Sequence, residues 1–501
     1  LASPIQLPLT PIPFPALEPP HMRKTLGVLA ATSAAALLAA CSSFGDDLPQ
    51  LDVSKPEVLA DKDRSGVDVS QRFFDNAPAA VVTGTNPADK DRATKLAVDA
   101  GVPLLTVTPE TRDAVSAEIG RLGAGKVVAV DSSGEAKNVP LPGGKDVSIE
   151  DATSTDVDVP HKDHKNSFPP VLVTGQTSPA ASATARAAGA ELTNLAYPDP
   201  RVSKEASDLV KDKNPLALGS QFGSSEKLAG EMSMTGNGEL PGGGELVFPG
   251  RRMIALYGHP SGPALGAMGE QDPQASVKRV QDLCEQYKQF AQEPVIPAFE
   301  IIATVAASEP GPDGNFTNES DVSELRPYVD AITKAGGYAV LDLQPGRGSF
   351  LEQAKLYEEL LKQPNVGLAL DPEWKIGPGE MPMQRVGSAE AAEINEASQW
   401  LSTLVRDNKL PQKALVIHQF QLQMLRDREQ IDTNHPELAF VLHADGHGTT
   451  EEKFETWNVM RQDLDPAFFM AWKNFFDEDK PMFDPQQTMD VQPRPWFVSY
   501  Q

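Results

Sequence analysis

Residues 366–374 have the sequence Val-Gly-Leu-Ala-Leu-Asp-Pro-Glu-Trp. The first five residues form a continuous apolar run, which predicts a strand covered on both faces, as strands of parallel sheets are. Five similar runs and two weaker candidates lie in the same half of the chain, at residues 253–257, 299–305, 338–342, 414–417 and 438–442, and at 468–472 and 496–500. Helical patterns separate most of them, at residues 274–290, 321–335, 349–363, 388–407 and 420–430. This alternation over about 250 residues predicts a TIM-type (β/α)8-like barrel at residues 251–501.

A repeat occupies residues 80–231. Residues 80–84 (Ala-Val-Val-Thr-Gly) recur about 91 positions later as residues 171–175 (Val-Leu-Val-Thr-Gly). Each copy continues with an alanine-rich helical stretch, a short strand, a further helix and a third strand. This order predicts a parallel sheet with right-handed crossovers, and two matched copies predict a duplicated, Rossmann-like α/β module. Neither first strand is followed by Gly-x-Gly-x-x-Gly, so a nucleotide site is disfavoured.

These motifs resemble the type-2 cell wall-binding repeat. Members of that family share an apolar strand ending in Ser/Thr-Gly, an alanine-rich helix, a proline-started second helix and a final apolar strand. The resemblance covers about residues 80–245 in two copies, where the family often works with three. It implies binding to a cell-wall polymer, and the alternative left open by the residues is a Rossmann-like pair without a ligand.

The start of the chain predicts export and lipidation. Residues 1–21 are rich in proline and are interpreted as an expression remnant or a misplaced start, outside the fold. Residues 22–40 have a short basic segment, an apolar alanine-rich stretch and small residues just before Cys41. This signal peptide resembles the lipobox of bacterial lipoproteins, which implies acylation of Cys41 and anchoring to the cell membrane. The apolar stretch has about 15 residues, fewer than the roughly 20 that a membrane span needs.

Composition indicates which segments are flexible and limits the partners and the cross-links that the chain can have. Residues 41–79 are polar and interrupted by proline, and predict a flexible tether, while the glycine-rich residues 232–250 predict a linker. A formal net charge of -26 disfavours nucleic acid and anionic lipid surfaces as partners. Once Cys41 is acylated, Cys284 is the only remaining cysteine, so an intrachain structural disulfide is excluded. The helical spacing of Cys284 predicts a buried position. An extracytoplasmic, lipid-anchored envelope protein is expected.

Polar side chains follow nearly every predicted barrel strand. In (β/α)8 barrels the carboxyl ends of the strands form the site. The residues at these ends are His259, Asp342, Gln344, Arg347, Asp371, Glu373, Trp374, His418, Gln419, His443, Asp445 and His447. So many functional side chains at one edge of the barrel predict a ligand site.

Asp371 and Glu373 are the most specific candidate pair of catalytic carboxyl groups. Positions i and i+2 of a strand point to one face, so both carboxyl groups are expected in the barrel mouth, near Asp342 of the preceding strand. Like charges this close give one acid and one carboxylate at neutral pH, which is the pair that glycoside hydrolysis requires. The Asp-x-Glu on a fourth strand resembles barrel glycosidases, including bacterial and fungal muramidases.

That resemblance implies a role for each candidate. Glu373 is the expected general acid, and Asp371 or Asp342 is the expected nucleophile or stabiliser of the oxocarbenium ion. The residues expected to position a cell-wall glycan or a peptidoglycan-linked polymer are His259, Arg347, Trp374, His418, Gln419, Asp445 and His447. No cofactor is expected for this chemistry.

Three alternatives remain open. Asp371 can cap a helix while Glu373 is merely solvated. The barrel can be non-catalytic and only bind wall polymer. A metal-dependent hydrolase is also possible, with His443, Asp445 and His447 as ligands and His259 and His418 nearby, although the first strand lacks the His-x-His of amidohydrolases.

Overall fold

The chain forms two four-stranded parallel sheets, one two-stranded parallel sheet and one closed parallel barrel, in a computed structural model that describes residues 51, 53–141, 147–164 and 167–501. The predicted remnant, the predicted signal peptide and Cys41 lie outside the described residues. None of the described helices combines the length and the apolar character that crossing a bilayer requires. The fold class is mixed α/β with parallel sheets, as the sequence predicts.

The N-terminal part of the described chain alternates short strands and helices. Its elements in chain order are β1 Glu57–Leu59, α1 Val67–Phe73, β2 Ala79–Thr83, α2 Pro87–Ala100, β3 Leu104–Thr106, α3 Arg112–Leu122, β4 Lys126–Val130, β5 Ser148–Asp151, β6 Val171–Thr174, α4 Pro179–Ala187, β7 Leu192–Leu195, α5 Lys204–Val210, β8 Leu216–Leu218 and α6 Ser225–Met232. The alanine-rich helices α2 and α4 both begin with proline behind a capping side chain, Asn86 and Ser178 respectively. Those caps satisfy backbone N–H groups that the first helical turn leaves free.

Three strands of each copy occupy equivalent places in the two sheets, and the fourth place is taken by β5 in one sheet and by β1 in the other. The strand orders are β3-β2-β4-β5 and β7-β6-β8-β1, and every pairing within them is parallel. One apolar cluster contains buried residues of both sheets, among them Val82 and Val173, so the sheets share a core.

Part of the segment expected to be a flexible tether is folded. Strand β1 pairs with β8, matching Glu57 to Leu216 and Leu59 to Leu218. Val69 of helix α1 is fully buried in the core shared by the two sheets. Residues 57–73 therefore belong to the α/β body, which differs from the expectation for residues 41–79.

The C-terminal part forms the barrel and its surrounding helices. Its elements are β9 Arg252–Gly258, α7 Pro273–Tyr287, β10 Val295–Ala306, β11 Thr317–Glu319, α8 Val322–Lys334, β12 Tyr338–Leu343, α9 Phe350–Leu356, α10 Glu358–Leu361, β13 Val366–Leu370, β14 Ala389–Glu390, α11 Ala391–Asp407, β15 Lys413–His418, β16 Leu425–Arg426, β17 Leu438–Ala444, α12 Thr450–Met460, β18 Phe469–Asn474, α13 Pro485–Asp490 and β19 Phe497–Tyr500. Cys284 on α7 is buried, as its spacing predicts.

Eight parallel strands close the barrel in the order β9-β10-β12-β13-β15-β17-β18-β19, with β19 returning to β9. All eight predicted strands are confirmed, including the two weaker candidates. The predicted helix at residues 420–430 is wrong, because this segment contains two short 3-10 turns and strand β16. Met424 and Leu425 are buried there and Asp427 has a φ of 52°, so packing and a left-handed residue override the local helical pattern.

The segment predicted to be a glycine-rich linker closes the amino-terminal end of the barrel. Leu240, Val247 and Phe248 are buried in the same cluster as the barrel's inward-facing apolar residues. The Phe248 ring lies 5.5 Å from that of Phe469 and 6.0 Å from that of Trp496. Residues 240–248 are therefore a packed plug, which differs from the expectation of a flexible linker.

Replacing the plug residue Phe248 by alanine tests this packing. Phe248→Ala should lower the free energy of unfolding of the barrel by about 3–5 kcal/mol, because it removes a buried aromatic ring and leaves a cavity. Urea unfolding followed by tryptophan fluorescence measures the change, with Met383→Ala, at a side chain 85% exposed, as the control. A loss of under about 1 kcal/mol, the ordinary range for a surface change, would contradict a packed plug.

Candidate active site

A polar layer lies above the apolar interior at the carboxyl ends of the barrel strands. Side chains alternate along a strand, so every polar residue of this layer except Asp445 faces inward two positions after an apolar residue of the interior cluster. Examples are Glu300 after Ala298 and His418 after Val416. The residues of this layer are Tyr257, Glu300, Asp342, Asp371, His418, His443, Asp445, Lys473 and Ser499, and all of them are buried.

His418 on β15 is the centre of this layer. Its Nε2 lies 3.0 Å from Oε1 of Glu300, and its Nδ1 lies 2.8 Å from Oδ2 of Asp445. Burial by itself lowers the pKa of His418, but the charges of Glu300, Asp342 and Asp445 outweigh burial and hold that pKa well above its ordinary value. His418 is therefore an imidazolium that donates a hydrogen bond to a carboxylate on either side.

The two carboxylates within hydrogen-bond distance of His418 keep their charge. Burial by itself raises the pKa of each, but His443 and His418 lower that of Glu300 well below its ordinary value. The hydrogen bond and charge of His418 likewise lower the pKa of Asp445. One oxygen of each, Oε2 of Glu300 and Oδ1 of Asp445, is buried without a hydrogen-bond partner among the described residues.

A cleft of about 570 Å³ opens above this layer. Its carboxyl-bearing lining residues are Asp371, Glu373, Asp445 and Glu478, and its aromatic ones are Tyr257, Trp374, Phe420 and Phe475. Lys473 and His447 also line it. The volume is typical of a small-molecule site.

Asp371 and Glu373 both line the cleft, but not as successive positions of an extended strand. Strand β13 ends at Leu370, and Pro372–Trp374 form a short 3-10 turn. Oδ1 of Asp371 caps this turn by accepting a hydrogen bond from the Glu373 N–H at 3.0 Å. Asp371 thus has the capping role left open by the sequence, while the half-buried Glu373 side chain is the more accessible of the two.

Burial raises the pKa values of Glu373, Asp371 and Asp342. It raises the pKa of Glu373 to about 7, with a further contribution from the charge of Asp445. It also raises the pKa of Asp371 well above its ordinary value and that of Asp342 to a smaller extent. Asp342 accepts a hydrogen bond from the Tyr257 hydroxyl at 2.9 Å and does not line the cleft.

Three residues predicted to contact substrate instead support loops and lie outside the cleft lining. His259 lies 2.8 Å from Ser261 and from Ser320 through its two ring nitrogens. Arg347 donates hydrogen bonds to the carbonyl of Glu380. Gln419 contacts its own loop and Arg428. Of the remaining predicted positions, Trp374, Asp445 and His447 line the cleft, whereas His418 does not line it and instead contacts Asp445.

Four residues of the layer were absent from the predicted set: Tyr257, Glu300, Lys473 and Ser499. Glu300 lies within the apolar run of β10, where a charged residue was itself a signal of an inward-facing polar group. Lys473 lies at the end of β18, one of the two weaker strand predictions, and its ammonium lies 3.7 Å from the centre of the Tyr257 ring.

Glu300, His418 and His443 also have the spacing of a possible cation site. One ligand atom from each lies within 4.8 Å of the others. Of the residues in the metal alternative, His418 and His443 come together here, whereas His447 is exposed against Phe475 and His259 is engaged with serines. The hydrogen bonds favour an ion pair, because His418 donates from both ring nitrogens and has no lone pair to offer a metal.

We expect the full-length protein, purified in detergent without chelators, to contain no stoichiometric metal, because protons already satisfy both His418 nitrogens. Elemental analysis measures this, with His447→Ala as a control for adventitious binding at the exposed histidine. One equivalent of zinc that is kept in His447→Ala and lost in Glu300→Gln would contradict the ion pair and establish a metal centre.

Comparison with known proteins assigns no family to this chain. No protein-family model matches it, and no curated protein matches it. The function must therefore be argued from the site itself.

Proposed function

We propose that this protein is a cell-envelope lipoprotein whose barrel hydrolyses a glycan of the cell wall. The observation that carries the proposal is a pair of carboxyl groups in one cleft, Glu373 and Asp445, whose pKa values are displaced in opposite directions. Carboxyl groups with pKa values pushed apart by their environments are the usual acid and carboxylate of glycoside hydrolysis.

Glu373 is the general acid. Its pKa of about 7 keeps much of the side chain protonated at neutral pH. It is less deeply buried than Asp371, so its proton can reach the oxygen of a glycosidic bond held in the cleft. A positioned acid whose pKa is close to the working pH transfers a proton most effectively.

Asp445 is the ionised partner of Glu373. The His418 imidazolium holds the Asp445 carboxylate at 2.8 Å and lowers its pKa, and Oδ1 remains free of hydrogen bonds within the described residues. Asp371 and Asp342 fit this role less well, because burial favours their protonated forms and Asp342 lies below the cleft. Asp445 then acts as nucleophile or base, and NMR of the released anomer distinguishes retention from inversion.

Aromatic side chains give the cleft surfaces for sugar rings. Trp374 lies beside the acid on the same turn, and Phe420 and Phe475 line other parts of the cleft. Aromatic faces bury the apolar faces of sugars while polar groups contact the hydroxyls. This arrangement supports a carbohydrate ligand better than a peptide or a nucleotide.

We extend the proposal to the rest of the chain. The two parallel sheets, with their equivalent strand orders, are proposed to be a duplicated Rossmann-like module that holds wall polymer, as its resemblance to type-2 cell wall-binding repeats suggests. Acylation of Cys41 is proposed to tether both parts to the outer face of the cell membrane. A membrane anchor beside the wall raises the local concentration of a wall substrate.

The substitution Glu373→Gln should lower the release of reducing ends from isolated bacterial walls by about 10²–10⁴-fold, because the acid is lost while the shape is kept. Glu478→Gln, at an exposed carboxyl group lining the same cleft, is the matched control and should stay near wild type. If wild type and Glu373→Gln both release no reducing ends yet both co-sediment with walls, the barrel is a binding protein and the hydrolase proposal fails.

The pH dependence of wild-type kcat should show an alkaline limb near pH 7. Catalysis requires protonated Glu373, whose pKa is raised to about 7, so the active fraction falls as the pH rises through that value. Asp445 has a lowered pKa and stays ionised on the acidic side. Residual activity of Glu373→Gln should lack the alkaline limb, and a limb that persists in this variant would assign it to another group.

Lipidation has a separate test. Cys41→Ser should move the protein from the membrane to the soluble fraction of a bacterial host and abolish labelling by radioactive palmitate, because the acylated thiol is lost. The control is Cys284→Ala, at a buried cysteine in the barrel's outer core. Equal labelling of wild type and Cys41→Ser would refute an anchor at this position.

A further inference from the structure

We infer that Lys473 binds an acidic group of the substrate, so that the glycan accommodated by the cleft carries a carboxylate. This inference rests on the proposed function, because Lys473 lines the same cleft as Glu373 and Asp445. It adds the chemical class of the substrate to the reaction.

The evidence is a comparison of three buried lysines. Lys413 donates to the carbonyls of Gln363 and Val366, at 2.6 and 2.7 Å. Lys453 donates to the carbonyl of Lys473 at 2.6 Å and to Asp479 at 2.7 Å. Lys473 is only 4% exposed, yet within the described part of the chain its ammonium has no hydrogen-bond acceptor and no carboxylate oxygen within 4.0 Å.

An ammonium in this position is costly to leave unpaired. Removing a charge from water destabilises it unless a partner and hydrogen bonds compensate. The faces of Tyr257 and Phe475, at 3.7 and 5.2 Å from the Lys473 nitrogen, attract the positive charge but accept none of its protons as ordinary hydrogen bonds. Because Lys473 lines the cleft, the acceptor for its ammonium comes from whatever occupies the cleft, either water or a bound ligand.

A carboxylate is the acceptor that fits best. A sugar hydroxyl can accept a hydrogen bond from Lys473 but brings no opposite charge, whereas a carboxylate supplies both an acceptor and the opposite charge. Strand β18 pairs with β17 so that Trp472 lies opposite Ala444. Lys473 and Asp445 are the residues that come directly after this matched pair. An acidic substituent bound to Lys473 would place its sugar ring beside the carboxyl pair.

The test compares native bacterial walls with walls whose carboxyl groups have been reduced to alcohols. The KM for reducing-end release by the full-length protein should be about 10- to 100-fold lower on native walls. This ratio corresponds to the free-energy contribution of one charge-assisted hydrogen bond. In Lys473→Met the ratio of the two KM values should approach one, and in Lys473→Arg, which keeps the charge, a preference for native walls should persist. Lys288→Met removes an exposed lysine from the outer surface and should keep the wild-type ratio.

The outcomes separate the inference from the proposed function. A wild-type enzyme that cleaves both walls with equal KM would overturn the role of Lys473 but leave the hydrolase intact, and this result needs no variant to fold. Equal KM ratios in wild type and Lys473→Met would show that Lys473 is only a counter-ion of the carboxyl layer. If neither wall releases reducing ends, the proposed hydrolase fails and the inference fails with it.

Discussion

The pair of hydrogen bonds from the buried His418 imidazolium to Glu300 and Asp445 is the interaction on which the site depends. The three residues come from three different strand regions, so their meeting requires the barrel to be closed and its register to be fixed. Ions removed from water are stable only when their geometry and hydrogen bonding are good. A rigid parallel barrel supplies that geometry, because its backbone hydrogen bonds hold neighbouring strands at constant spacing.

The charge balance of the polar layer follows from this interaction. Five carboxyl groups, those of Glu300, Asp342, Asp371, Glu373 and Asp445, share a small volume with the cations of His418 and Lys473. All five cannot ionise together, because like charges in a low-dielectric site repel strongly. The two groups hydrogen-bonded to His418 have lowered pKa values, whereas the pKa values of Asp342, Asp371 and Glu373 are raised. The same ion pair therefore separates the pKa values of an acid and a carboxylate in the cleft.

The apolar runs were sufficient to predict the barrel because an apolar run of that length has few interpretations other than a strand buried on both faces. Local patterns failed where tertiary packing decided the outcome. Residues 420–430 have helical composition but bury Met424 and Leu425 in an irregular loop. The glycines of residues 232–250 suggested flexibility, while the apolar Leu240, Val247 and Phe248 among them determined the structure.

The rule that barrel sites lie at the carboxyl ends of strands found much of the candidate site but could not rank its members. It found His418, Asp445 and Glu373, yet it also selected His259 and Arg347. Strand ends provide side chains to loops as well as to clefts, and only tertiary structure separates the two. Assigning the carboxylate partner required the contact between His418 and Asp445, which lie 27 positions apart in the chain.

The protonation state of His418 tests the central claim most directly. In protein labelled with ¹⁵N-histidine, the two ring nitrogens of His418, assigned with His418→Gln, report by NMR whether each carries a proton. The ion-pair account predicts protons on both nitrogens at pH 7 and at pH 8, well above the ordinary histidine pKa of about 6.5. A neutral His418 ring with one unprotonated nitrogen at pH 7 would contradict it. Neither the charge of Asp445 nor the difference between the pKa values of Asp445 and Glu373 would then have a cause.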